Sequence, residues 1–446
     1  MQSLRHSIPS WVANYKPLSS RTTYVCASCL SAKQQSSRTL PSRQRRSFAS
    51  EHKSSESSGP TLPPSSGHAR LTSRRLISLT GSGAPHFLQG LVTTWIPGSG
   101  TPAENKNRES AQPSPWNYCG FLNATGRVLH DVFIYPVSSS STGEHTFMIE
   151  VDADQLPVLL RHVKRYKLRS KISVRAVEQD EYSVWQVWDN NADAANSTGQ
   201  ETRTVAQNEG GETVIRDLRA PGLGYRVLSA GPDLKIQNLH FLQGKNEPSD
   251  EQSYRVRRYL RGVPEGSSEI IPEQALPSES NMDIMGGIDF RKGCYVGQEL
   301  TIRTRHRGVV RKRILPVALY GQEDAVPDAL EYNPQTTLVD GSELKGLTVG
   351  RVAKKGRSAG TYLAGVGNIG LALCRVQIMT DLTIPNETAS AFTFDPTAEF
   401  ELKLGGEQES NGESQEKGPR IKAFVPEWLR SRLAEEAVKM QAHHRP

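Results

Sequence analysis

The residues best suited to chemistry lie between Asn281 and Arg313, centred on Lys292-Gly293-Cys294-Tyr295-Val296-Gly297-Gln298-Glu299. A thiol is set between two glycines and behind two cationic side chains, Arg291 and Lys292. The flanking pattern predicts a short strand over Gly287–Phe290 that turns into a helix over Tyr295–Arg305. Cationic neighbours and the free amides of a helix N-terminus both favour thiolate. The spacing therefore predicts a Cys294 more acidic than an ordinary cysteine, with the Lys292 ammonium contributing. Gly293 and Gly297 allow close backbone approach or positive φ, which suits a loop packed against a ligand. From spacing alone, the same residues also fit a tight strand–helix turn around an inert, half-buried cysteine.

A chain of 446 residues is long enough for two or three domains with real cores. Hydrophobic content is 36% and mean hydropathy −0.52, values low enough to indicate polar tails or insertions around the globular parts. No apolar run approaches the ~20 residues needed to span a membrane, so no membrane partner is expected. The net charge of +7 suggests a nucleic-acid partner until its distribution is considered. Residues 1–50 hold eight Lys and Arg and no Asp or Glu, leaving the rest close to neutral. That composition, ending in Arg45-Arg46-Ser47-Phe48-Ala49-Ser50, is the pattern of a mitochondrial transit peptide, and no nucleic-acid partner is expected. Cys26 and Cys29 form a CxxC within this leader, with no second pair to complete a zinc site. Cys119, Cys294 and Cys374 are too widely separated to make a disulfide framework, which is consistent with a reducing matrix compartment.

Several elements must position the thiol. Residues 51–70 are rich in Ser, Pro and Gly and read as a disordered linker, with order beginning at Leu71. An α+β region over 71–312 follows, with polar insertions near 97–115 and 190–212. Within it Arg74–Gly81 reads as a strand. Ala84–Ile96 reads as a helix with Phe87, Leu88, Leu91, Val92 and Trp95 on its core face. Tyr118–Tyr135 is a hairpin turning at Asn123-Ala124-Thr125-Gly126. Further strands are expected over Thr146–Val151, Ile172–Val177 and Tyr182–Trp188, a small β unit between Ile215 and Leu228, and helices over Gln155–Lys167 and Ser253–Arg261. Short β-runs from Ile314 to Ile378 predict a small antiparallel barrel over 313–404. Residues 405–446 read as a low-complexity linker and a terminal helix near Pro426–Gln441.

KGCYVGQE, followed by Leu300-Thr301 and Arg303, resembles the signature of the YgfZ-type proteins, whose mitochondrial members are iron–sulfur cluster assembly factors. That group is related to the folate-dependent aminomethyltransferase of the glycine cleavage system. The resemblance runs through most of the ordered chain. Phe87-Leu88-Gln89-Gly90 with Thr93 is similar to the group's FLQG-xx-T segment, although Thr94-Trp95 replace its usual Asn-Asp. Phe121-Leu122-Asn123 with Gly126-Arg127 and Asp131 resembles its hairpin, and Tyr166, Leu168 and Arg169 fit its helix–strand junction. Arg258, Gly262, Pro264 and Glu273 resemble the segment that precedes the cysteine motif.

The implied fold is an aminomethyltransferase-like folate-binding fold with the small C-terminal barrel. A pteridine in its central cavity would need carboxylate and amide partners. The resemblance offers Glu273, Asn123 and Gln298, with Glu299 beside the last, and Arg258 for a glutamyl tail. Each also has a plain structural reading: Asn123 as a turn residue, Arg258 on a helix surface, Glu273 as a cap for a following helix. In the aminomethyltransferase branch an aspartate at the position of Asp131 serves methylene transfer within an acidic pair. His130-Asp131 retains half of that pair. That branch lacks the cysteine, so the thiol points to the assembly-factor branch.

The resemblance thus implies a mitochondrial matrix factor for maturing [4Fe–4S] proteins, aconitase-type and lipoate or radical enzymes among them, acting without independent turnover. Tetrahydrofolate is the implied cofactor, and A-type iron–sulfur scaffold proteins and client enzymes are the implied partners. One thiolate cannot hold a cluster that usually takes four ligands, so Cys294 would share a cluster transiently with a partner or handle sulfur. The alternatives are a tetrahydrofolate-dependent aminomethyl- or methyltransferase, and an interaction module with a vestigial pocket. The basic runs Arg161–Lys167 and Arg303–Arg313 read as solvated faces, or as docking surfaces for acidic partners or a polyglutamyl tail.

Overall fold

The computed structural model describes residues 62–443 except 101–116, 140–143, 191–205, 208–210, 240–241, 243–245, 337–342, 353–355, 384–393 and 405–416. The expected transit peptide and the centres of both insertions lie outside the described residues. Order begins before Leu71: β1 (Ser66–Arg70) forms within the stretch read as linker. It pairs with β7 (Tyr182–Asp189), and His68 and Ala69 are buried there. The Ser/Pro-rich composition concealed this because long-range pairing, absent from local sequence, supplies the partner.

Strands β2 (Arg74–Gly81), β3 (Tyr118–Leu122), β4 (Val128–Ser139), β5 (His145–Asp152) and β6 (Ser173–Ala176) form a five-stranded sheet in the order β3-β4-β5-β2-β6. With β8 (Ala206–Gln207), β9 (Thr213–Arg216), β10 (Tyr225–Ala230) and β11 (Glu247–Ser249), strands β1 and β7 form a six-stranded sheet ordered β11-β1-β7-β10-β9-β8. Alternation along β4 assigns its two faces. Val132 and Ile134 join the layer covered by α1 (Ala84–Gln89) and α2 (Leu156–Lys167). Phe133 and Tyr135 enter the core shared with Val184, Trp188 and Leu228 of the six-stranded sheet. Asp131 has the parity of Phe133 and is likewise buried.

Helix α1 is shorter than its apolar periodicity predicts. It stops at Gly90, and Val92 instead makes a β-bridge to Phe121. Phe87, Leu88, Leu91, Val92 and Trp95 are all buried, so the core assignment holds although the backbone changes form.

Helix α3 (Glu251–Leu260), capped by Asp250, packs Val256 and Tyr259 against the outside of the barrel. The expected strand over Gly287–Phe290 is irregular backbone, and α4 runs Gln298–Arg307 rather than from Tyr295. Gly297 stands at φ +81°, a left-handed conformation that cannot continue a helix, so α4 starts after it. The barrel closes through six strands in the order β12-β15-β14-β13-β16-β17: β12 (Lys312–Tyr320), β13 (Thr348–Arg351), β14 (Gly360–Val366), β15 (Ile369–Arg375), β16 (Phe400–Leu402) and β17 (Arg420–Ala423). A short helix α5 (Val376–Met379) follows β15. Strand β17 lies in the segment read as linker, and it joins β12 to β16. Helix α6 (Glu427–His443) ends the described chain.

Candidate functional site

Cys294 is exposed at the head of a loop whose base is stitched to the α1 region. Lys292 Nζ donates to the carbonyl oxygens of Gln89 at 2.8 Å, Val92 at 2.5 Å and Thr94 at 2.8 Å. Val296 N donates to Gly90 O at 3.1 Å, and Asp289 N to Thr93 O at 2.9 Å. Thr93 Oγ1 donates to Gly287 O at 2.5 Å and accepts from Gly120 N at 2.8 Å, so one hydroxyl joins the cysteine loop to the hairpin. Three carbonyls converge where α1 ends early, and a flexible ammonium with three donors suits them. The cation beside Cys294 in sequence is thus turned toward the backbone of residues 89–94. Cys294 precedes α4 by four residues and is not at its N-terminus.

The hairpin tip meets this loop from the other side. A Cβ added to Gly297 would lie 2.3 Å from Asn123 O, and one added to Gly126 would lie 2.6 Å from Leu300 Cβ. Both glycines have positive φ, so close approach and backbone conformation require glycine together. Asn123 Oδ1 accepts from Thr125 N, Thr125 Oγ1 and Arg127 N at 2.8–3.0 Å, the Asx-turn arrangement. Glu273 caps no helix. Its side chain is exposed, its φ is +62°, and its N–H donates to Val128 O at 2.8 Å. Gln298 opens α4, and its Oε1 accepts from Tyr295 N at 3.3 Å; Glu299 is exposed in the first turn. Asn123, Glu273, Gln298 and Glu299 thus frame one hairpin tip beside the Cys294 loop, whereas Asp131 and Arg258 lie in the interior.

That interior holds a charge cluster the sequence reading missed. Arg74 Nε donates to Glu150 at 2.7 Å, and Tyr135 donates to the same carboxylate at 2.5 Å. Glu265 lies 2.7 Å from Arg219 and 2.5 Å from Arg226, and Arg219 is also held by Asp217 at 2.7 Å. Burial alone would raise the Glu265 pKa, but Arg226, Arg219 and Arg258 outweigh it and hold the carboxyl well below its ordinary value. Asp131 Oδ1 accepts from Gly266 N at 3.1 Å, and Oδ2 lies 3.6 Å from Arg74. Burial, opposed by Arg74, raises the Asp131 pKa. Arg258 forms a two-pronged pair with Glu269 at 2.8 and 3.0 Å. The only sequence signal for the cluster was a lone charge within apolar alternation, as at Glu150 and Arg226.

The implied folate meets this arrangement poorly. Arg258 and Asp131 are bound to protein partners, and the cavity beside them, lined by Arg74, Tyr254, Arg258, Glu265 and Glu269, measures about 60 Å³. Ligand pockets usually measure about 300–1,000 Å³. The larger clefts, about 450 and 340 Å³, flank α4 instead. Among the described residues no group of three His, Cys, Asp or Glu is arranged to hold a metal ion.

Residues 311–431 match the family model of the CAF17 C-terminal beta-barrel domain, in agreement with the closed barrel. A protein of Pyricularia oryzae named iron-sulfur cluster assembly factor IBA57 homolog, mitochondrial, is 49% identical over 82% of this chain and 86% of its own. The protein of that name from Neurospora crassa is 42% identical over 95% and 92%. The chain belongs to the IBA57 family of mitochondrial iron–sulfur cluster assembly factors. The glycine cleavage system aminomethyltransferase T of Bartonella henselae shares the fold at a TM-score of 0.51, with 12% identity over 82% of this chain and 87% of its own. In this IBA57-family chain the aminomethyltransferase-like α+β fold therefore carries an exposed thiol on a buttressed loop, over an interior closed by ion pairs.

Proposed function

We propose that the chain supports maturation of [4Fe–4S] proteins in the mitochondrial matrix, with Cys294 as the thiol that meets the cluster. The observation that carries this reading is the contrast among Cys119, Cys294 and Cys374. Cys294 alone is exposed, and its loop is fixed by Lys292, Val296 and Thr93. In this reading the Cys294 thiol loses its proton to solvent and Sγ donates to one iron. The remaining ligands, usually making four in all, come from a partner, for which an A-type scaffold protein is proposed. The cluster is cargo, shared while the two proteins are together and released to a client enzyme.

The test is aconitase activity in mitochondria whose only copy of this protein carries Cys294→Ala, beside glycine cleavage capacity and a [2Fe–2S] enzyme. Loss of aconitase with both controls intact is expected. Normal aconitase would sink the thiol mechanism. A selective glycine-cleavage defect would instead favour aminomethyl transfer, the reading motivated by retained Asp131.

A further inference from the structure

Helix α2 buries Leu159 and Val163 against the five-stranded sheet, and its opposite face carries little that serves folding. Arg161, Lys164, Arg165, Arg169 and Lys171 are exposed, and among the described residues none of them forms an ion pair. Apolar side chains are set among these cations: Val158 is 42% exposed, Tyr166 38% and Leu168 87%. Leu168 is held at φ +41°, ψ −112°, a conformation that bulky L-residues rarely adopt. A strained leucine directed into water gains nothing for the fold, and such strain concentrates where function retains it.

From this face we infer a peripheral docking surface for an anionic lipid bilayer. Cations around projecting apolar residues are the composition of a helix lying in a membrane interface. Phosphate headgroups complement the unpaired charges, the long Lys and Arg stems reach past the apolar side chains, and the acyl boundary receives Leu168. An acidic protein surface would match the charges, but it gives no general reason for a leucine held outward among them. Among the described residues no helix is long and apolar enough to cross a membrane, and this contact requires none. It adds a surface partner to a chain whose sequence suggested no membrane contact.

The test is co-sedimentation of the full chain with vesicles of phosphatidylcholine alone, or with about one-third phosphatidylglycerol, at low and moderate salt. The basic residues of the first fifty positions are common to every variant, so the reading is the difference between variants. The triple charge reversal Arg161→Glu, Lys164→Glu, Arg165→Glu is expected to weaken binding to anionic vesicles at least about tenfold. Leu168→Gly should weaken it about threefold or more while the melting temperature holds or rises, because glycine relieves the positive φ. A purely structural role for Leu168 would instead lower the melting temperature. Three results would overturn the inference: equal binding to neutral and anionic vesicles, anionic binding unchanged by the reversal, or capture of soluble polyglutamate through these residues without vesicle binding. The last would transfer the face to an acidic protein.

Discussion

The ammonium of Lys292 lies 2.8 Å from the carbonyl oxygen of Gln89, 203 residues earlier in the chain. This bond and its two companions turn an exposed thiol loop into a supported one. Lys292→Met removes the donor from three carbonyls and should destabilise the protein by about 2 kcal/mol. Denaturant unfolding measures the loss, and faster alkylation of Cys294 under native conditions should accompany it.

Gly297→Ala is expected to lower stability by about 2 kcal/mol or more, because its left-handed φ and the nearby Asn123 carbonyl both oppose a Cβ. The same substitution at Gly293, where a Cβ meets open space, should have a much smaller effect. Thermal melts of the two variants make the comparison.

Thiol chemistry should separate Cys294 from Cys119 and Cys374. Burial pushes both of the latter up to about 12, and neither is accessible. Iodoacetamide at mildly alkaline pH is expected to modify Cys294 in the native protein, and the other two only after unfolding, as peptide mass spectrometry would read. Cys294→Ala should change stability by no more than about 0.5 kcal/mol, so lost function in that variant reports chemistry rather than folding.

His130 gives a pH dependence. It is buried with no hydrogen-bond partner for either ring nitrogen among the described residues, and burial, aided by His162, lowers its pKa to about 4. The unfolded chain takes up this proton near pH 6.5 and the folded protein only near 4. Stability therefore falls as pH drops through that window, by roughly 3 kcal/mol at most. His130→Phe should flatten this part of the stability–pH curve.

Glu265 acts in a lower window. Its carboxyl is held well below its ordinary value, so its contribution is present above the unfolded pKa and is lost as pH falls beneath it. Glu265→Ala leaves Arg219 and Arg226 buried without their shared partner and should cost about 3–5 kcal/mol. Equilibrium unfolding at neutral pH tests the magnitude.

Sequence by itself determined the family, the cysteine motif and most strands, and the structure decided that Cys294 is exposed. Cys294 with its flanking glycines is a local pattern, and β2 runs from Arg74 to Gly81, the bounds read for that strand. Core membership was equally legible: Phe87, Leu88, Leu91, Val92 and Trp95 are buried whether or not the backbone stays helical. Apolar side chains leave water in either form, so periodicity identifies the core better than the backbone shape. Tertiary structure decided the rest. It brought Lys292 onto the carbonyls of Gln89, Val92 and Thr94, and paired Arg258 with Glu269 where a ligand contact was expected. It also drew β1 and β17 from stretches read as linkers. The Lys292 contacts and both strand pairings depend on partners a hundred or more residues away. Arg258 finds Glu269 only across a turn of eleven residues, and a charged side chain takes its role from whichever opposite charge or carbonyl the fold brings beside it.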